Sequence, residues 1–151
     1  MMPAPPKISR FLNLIRSVDD RHDRIEMLIG IADRFREVPL GVARRPFDSR
    51  YLIPHCESEV YFWPVDVADG TLDLYFAVEN PQGISARAMA VILDESLSGE
   101  PLDEVVKVED DLPLEIFGRE LSMGKSMGLN SMVAMVRLAA ERRLRDRAAG
   151  Q

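Results

Sequence analysis

At 151 residues the chain has the length of one domain around a single hydrophobic core. Apolar residues make up 46% and charged residues 29%, which is the balance of a globular protein and not of a disordered or fibrous one. With 19 Lys and Arg against 25 Asp and Glu the net charge is −6, and this argues against a dedicated nucleic-acid binder, which needs a basic face to neutralise phosphates.

Residues 1–7 carry three prolines and are expected to form a flexible N-terminal segment, leaving 8–147 as one domain and 148–151 as a frayed C-terminus. The N-terminal stretch lacks the apolar core of a signal peptide, and no later segment approaches a membrane span. A cytoplasmic location with no membrane partner is therefore expected. In "SVDDRHDRIEMLIGIADRF" the residues Ile25, Leu28, Ile29, Ala32 and Phe35 form the stripe of an amphipathic helix, with Asp19 or Asp20 as its cap. The prolines and glycine of "EVPLGVARRPFDSR" then predict a surface loop.

Two β-branched and aromatic runs follow, "SEVYFWPV" and "TLDLYFAV", separated by a turn at Asp69-Gly70. They read as an antiparallel hairpin with Leu72, Leu74, Phe76 and Val78 on its buried face, and a third strand is expected upstream of Cys56. Residues 84–97 predict a helix with little polar surface, buried against the sheet and ended by Gly99 and Pro101. Short helical segments are expected in "PLDEVVKV" and "PLEIFGREL". A last helix runs from about Ser126 to Arg147, with Leu129, Met132, Val133, Val136 and Ala140 on one face. The order predicts an α+β fold, a small antiparallel β-sheet packed against several α-helices.

Chemistry-bearing residues are few. Gly124-Lys125-Ser126 imitates the end of a phosphate-binding loop, but the glycine that motif needs at position 119 is Arg119, and no buried strand precedes it. A helix start beside Lys125 remains a plausible anion or partner contact. Metal binding is not expected: the supply is Cys56, His55, His22 and scattered carboxylates, and adjacent residues of an extended chain point to opposite faces. A Cys–His hydrolase needs a base within reach of the nucleophile, and only two histidines exist.

The segment "IPHCESEVYFW" holds the only cysteine, which excludes an internal disulfide. Free cysteine is often a small buried hydrophobe, yet Cys56 has Pro54 and His55 before it and Glu57, Ser58 and Glu59 after it. On the residues alone, inert and reactive readings weigh equally. Neighbouring acids raise a thiol pKa, so a usable thiolate needs a compensating cation, for which His55 and Lys125 are the candidates.

"HCESEVYFW" resembles the Cys-x-Ser-x-Val segment of the SufE family, sulfur acceptors of iron–sulfur cluster assembly. "ENPQGISARAMAVILDESLSGEPLDEV" is similar to the family's buried helix and the short proline-started helix after it. "LSMGKSMGLNSMVAMVRLAA" is similar to its C-terminal Leu-x-x-x-Arg-Ser-x-Gly-Leu-x-x-Met helix start. Together these blocks extend the resemblance over roughly residues 8 to 145.

The resemblance implies that Cys56 takes sulfane sulfur from the persulfide of a SufS-like cysteine desulfurase, stimulates that enzyme, and relays the sulfur to an Fe–S scaffold. Such a chain is a sulfur-transfer accessory rather than a stand-alone enzyme. It needs no cofactor, since the pyridoxal phosphate (PLP) belongs to the desulfurase. The resemblance further implies that His55, Glu57, Ser58, Glu59, Lys125 and Ser126 contact the partner or substrate. It also implies a cysteine tucked over an apolar cavity, whose walls the methionine face of the last helix and the run Tyr61–Trp63 could supply. The chain departs from the family pattern at three places: His55 stands before the cysteine where glycine is common, Glu59 where glutamine is common, and Lys125 where arginine is common. The alternative function is a partner-docking module with an incidental cysteine, and behind it a Cys-dependent hydrolase.

Overall fold

The computed structural model describes residues 3–118 and 121–150. Its architecture is α+β, a two-stranded antiparallel hairpin with six helices. Residues 1, 2 and 151 of the terminal segments expected to be flexible lie outside the described residues.

Helix α1 (Pro6–Arg16) starts inside the segment expected to be flexible. Proline at the first helical turn costs nothing there, because its missing N–H has no intrahelical partner anyway. An 11-residue helix is marginal alone. Ile8, Leu12 and Ile15 recur on one face, and all three are buried. Their burial supplies about 1.5–3 kcal/mol per side chain at most, enough to hold the helix in place.

Helix α2 (Arg21–Ala32) has Asp20 as its cap, whose side chain accepts the Asp23 N–H at 3.0 Å. The expected stripe is shifted: Ile31 and Ala32 are buried, whereas Ile25 is exposed. Position on the helix explains this, because only the C-terminal end of α2 lies against the centre of the fold.

Strands β1 (Val60–Asp66) and β2 (Leu72–Val78) pair in register from Val60 opposite Val78 to Asp66 opposite Leu72. The turn takes Gly70 at φ 90°, a conformation that glycine adopts without strain. Leu72, Leu74, Phe76 and Val78 are buried as their alternation predicts. The third strand is absent among the described residues. Upstream of Cys56 only a single bridge forms, between Leu52 and Tyr61, because Pro54 and the turn at His55 interrupt the pairing after one step.

Helix α3 (Ile84–Leu97) packs on the hairpin and against α1 and α2, so nearly every side of it is covered. That position explains a sequence with Ala88, Met89, Ile92, Leu93 and Leu97 all within 1% of full burial. Two short helices follow, α4 (Leu102–Val105) and α5 (Leu112–Phe117). The last helix, α6 (Met123–Ala149), starts three residues before Ser126 and continues through residues 148 and 149, where fraying was expected. Ser122 caps it by accepting the Lys125 N–H at 3.2 Å. α6 packs on α3, α4 and α5.

The hairpin therefore has two different faces. Phe62, Leu74 and Phe76 point into the main core. Tyr61 and Trp63 point the other way, into a small aromatic cluster with Phe47 and Tyr51 that the 38–51 loop lays over the sheet. None of the helices is long and apolar enough to cross a membrane, among the described residues.

Candidate functional site

Residues 54–59 form a tight loop between the Leu52–Ile53 bridge region and β1. The Ile53 N–H donates to the Val60 carbonyl at 2.8 Å, which closes the loop at its base. The Glu59 N–H donates to the Cys56 carbonyl at 3.3 Å, forming a turn within it. On the outer side the Glu79 and Asn80 N–H groups donate to the Glu59 and Ser58 carbonyls at 3.1 and 3.2 Å. The loop is thus strapped to the exit of β2.

This tight path has a conformational cost. His55 sits at φ 68° and Glu59 at φ 51°, both in the left-handed region. A side chain there costs about 1 kcal/mol or more, which glycine avoids. His55 therefore adopts a backbone shape that glycine favours.

Between these two strained residues, Cys56 rests on the second turn of α6. Its thiol donates to the Gly128 carbonyl at 3.3 Å. Gly128 permits the contact: a Cβ there would lie 2.9 Å from both the Cys56 Cα and the His55 carbonyl oxygen. Gly83, at the start of α3, plays the same part for Ser58, whose Oγ would lie 2.7 Å from an added Cβ. Close backbone approach at two helix ends thus seats the loop.

A cavity of about 330 Å³ opens beside the thiol. Ile84, Ala86, Leu129 and Met132 give it an apolar wall. Glu57, Ser58, Asn80, Gln82, Ser85 and Lys125 give it polar groups. Of the residues singled out in the sequence, Cys56, Glu57, Ser58 and Lys125 meet here. His55, Glu59 and Ser126 do not line the cavity, and His55 and Glu59 face solvent on the loop. Met132 supplies the methionine wall that was expected. The aromatic run does not contribute: Phe62 lies in the main core, and Tyr61 and Trp63 lie in the cluster beneath the 38–51 loop.

Burial pushes the Cys56 thiol from an ordinary 9.0 up to about 12, with desolvation as the cause. The expectation that His55 or Lys125 offsets this is not met, since both side chains are exposed to water. In this conformation the thiol is protonated at neutral pH and shielded. No hydrogen bond joins Cys56 to a histidine among the described residues, and His22 pairs with Glu26 on the exposed start of α2. A Cys–His pair for hydrolysis is therefore not assembled. The described residues also contain no group of three or more His, Cys, Asp or Glu placed to hold a metal ion.

Gly83, Asn80, Ile84, Gly128 and Leu129 had not been singled out as site residues, and Met132 only as part of the methionine face of the last helix. A signal existed for all of them, since Gly128, Leu129 and Met132 fall within "SMGLNSM" and Asn80, Gly83 and Ile84 within "ENPQGIS", both parts of blocks that carry the resemblance. Asn80, Gly83 and Ile84 reach the site through the turn from β2 into α3, which the Asn80 N–H ties to the Ser58 carbonyl.

A family model described as SufE, the Fe-S metabolism associated domain, matches residues 9–140. The fold is similar to the solution structure of a hypothetical protein from Thermus thermophilus, with a TM-score of 0.73 and 25% sequence identity. That likeness covers 94% of this chain and 98% of the other. No curated protein matches the chain.

Proposed function

The chain belongs to the SufE family, a domain associated with Fe–S metabolism, and from that premise we propose that it accepts sulfane sulfur on Cys56 from a cysteine desulfurase and passes it toward cluster assembly. The observation that carries the reading is the seating of the lone cysteine: a closed loop, held on Gly128, presents it at the edge of a partly apolar cavity. A structural cysteine needs no such cavity. A carried persulfide does, because its outer sulfur is open to attack by any thiol that reaches it.

In the transfer the Cys56 thiolate attacks the outer sulfur of the partner's persulfide. A new sulfur–sulfur bond forms on Cys56 and the partner's bond breaks. The partner cysteine leaves as a thiolate and takes up the proton, so there is no net oxidation. With its pKa up to about 12 the resting thiol is a poor nucleophile. Docking must therefore lift the loop from Gly128 or bring a cation to it. Having no second cysteine suits a carrier, since a neighbouring thiol would resolve the persulfide to a disulfide and release sulfide. The chain itself then needs no cofactor, and the partner's PLP chemistry ends before the sulfur reaches Cys56.

Incubation with a cysteine desulfurase and L-cysteine is expected to add one sulfur to the intact mass. Cys56→Ser should abolish both that gain and the stimulation of desulfurase turnover. The shielded, protonated thiol favours one rival reading, a docking module in which Cys56 is incidental. In that case the serine variant stimulates as well as the wild type.

A further inference from the structure

The cavity beside Cys56 has features that carrying a single sulfur atom does not require. At about 330 Å³ it reaches the range of small-molecule sites. It also holds one cation and one anion, Lys125 and Glu57, and neither forms an ion pair among the described residues. Some exposed charges elsewhere are paired, as Arg45 is with Glu37 and Glu79, and Arg34 with Glu95, whereas this pair of opposite charges is left open to an outside ligand. Asn80 adds a directional donor. Its Oδ1 already accepts the Gln82 N–H at 2.9 Å, so the amide NH₂ is what it has left to offer. Opposite these groups stands the apolar wall of Ile84, Leu129 and Met132.

A separated cation and anion, an amide donor and an apolar wall at the edge of a sulfur-bearing residue complement one chemical class. That class is a small thiol carrying a carboxylate, an ammonium group and a short apolar stem. We propose that this cavity binds a low-molecular-weight amino-acid thiol and delivers it to the persulfide on Cys56, giving the carried sulfur a small-molecule exit besides any protein acceptor. The proposal rests on the carrier reading for its reaction, but not for its binding site. Lys125 and Asn80 hold the carboxylate and Glu57 the ammonium. The thiolate then attacks the outer sulfur of the Cys56 persulfide. A sulfur–sulfur bond forms to the small thiol, the bond to Cys56 breaks, and Cys56 takes up the proton that the small thiol gave. The products are a small persulfide and the resting Cys56 thiol, with no net oxidation. Attack on the inner sulfur instead would release sulfide and leave a mixed disulfide, so the product identifies the geometry.

The test has two arms. In the first, unmodified protein is titrated with S-methyl-L-cysteine, which has no thiol to react, and amide NMR shifts are followed. Saturable shifts at Gly128, Leu129 and Ile84 are expected, and they should weaken about tenfold in Lys125→Gln, the order expected for one charge-assisted contact. In the second arm, Cys56-persulfidated protein is mixed with L-cysteine or with 2-mercaptoethanol. Transfer to L-cysteine should saturate, yield cysteine persulfide, and be inhibited by S-methyl-L-cysteine. Transfer to 2-mercaptoethanol should rise linearly and be indifferent to Lys125. The proposal is overturned if no saturable shift appears, if both thiols react linearly, or if sulfide is the main product. If the protein never loads sulfur from a desulfurase, the carrier reading fails, while the first arm still decides the binding site by itself.

Discussion

Two cavities lie at the two ends of α3, and they differ in what their polar groups have left to do. The larger, about 460 Å³, is bounded by the loop after α2, by β2 and by the C-terminal part of α3. Most of its charged groups are already engaged, although Arg36 makes no hydrogen bond or ion pair among the described residues. Arg34 donates to both carboxylate oxygens of Glu95 at 3.0 and 2.8 Å, the Ser98 hydroxyl donates to Asp94 at 2.6 Å, and the Leu74 N–H donates to Ser98. It holds no cysteine. The smaller cavity has Cys56 at its edge and leaves Lys125 and Glu57 unpaired among the described residues. Volume alone would select the cavity that lacks the cysteine. The thiol is the better guide, because the proposed sulfur transfer needs one and only the smaller of these two cavities has it at its edge.

The contrast breaks most sharply under substitution. Cys56→Ser is expected to remove all sulfur loading, whereas Arg34→Ala at the larger cavity should leave loading unchanged and shift stability by under about 1 kcal/mol, as for an exposed pair. Loss of loading in Arg34→Ala, measured by intact mass, would show that the comparison selects the wrong cavity.

Next in size is the reactivity of the buried thiol. A value of about 12 against 9.0 leaves about a thousandfold less thiolate at neutral pH than a free cysteine has. Alkylation of the resting protein by iodoacetamide should be slower by about that factor, and adding the desulfurase should accelerate it. The same shift ties stability to pH. The folded-state value lies above the unfolded one, so the native state keeps a proton that the unfolded chain releases. This contribution is complete below about pH 9 and is lost as pH rises through about 12. Tyr61 and Tyr75, also raised by burial, act in the same direction. The difference between wild type and Cys56→Ser in urea unfolding from neutral to alkaline pH isolates the thiol.

Gly128→Ala probes how the loop is seated. The added methyl meets backbone atoms of Cys56 and His55, which cannot rotate away as a side-chain end can. A loss of about 1–3 kcal/mol in urea unfolding is expected, together with faster alkylation as the loop lifts. The smallest effect is expected from His55→Gly, which relieves a φ of 68°. A gain of up to about 1 kcal/mol in the same measurement should appear with no loss of sulfur loading. If His55→Gly destabilises, the histidine side chain makes a contribution beyond occupying the turn.

The elements and the site were legible in the sequence to different degrees. The hairpin was, because β-branched alternation and Asp69-Gly70 are local signals. Helix α3 was as well, from its continuous apolar run. Helix α1 was also encoded, in the spacing of Ile8, Leu12 and Ile15, but the prolines before it drew the reading toward a flexible tail. The stripe assigned to α2 overreached at Ile25, because periodicity identifies an apolar face without telling how much of its length meets the core. Within the site, the cysteine and its flanking residues could be named from a motif. The partition among them could not: Glu57 and Ser58 turn to the cavity while His55 and Glu59 face water, and that depends on two left-handed residues within five positions.

What the sequence determined by itself, then, is the order of elements, the buried face of each strand, and the identity of the one cysteine, since these follow from local periodicity and composition. Only the tertiary structure decided the state of that residue. Cys56 is shielded because α6 presents a glycine where any side chain would push the loop away, and because the start of α3 closes the cavity from a segment some thirty residues distant. Burial and close approach are properties of pairs of segments, and the chemistry of the thiol follows from them.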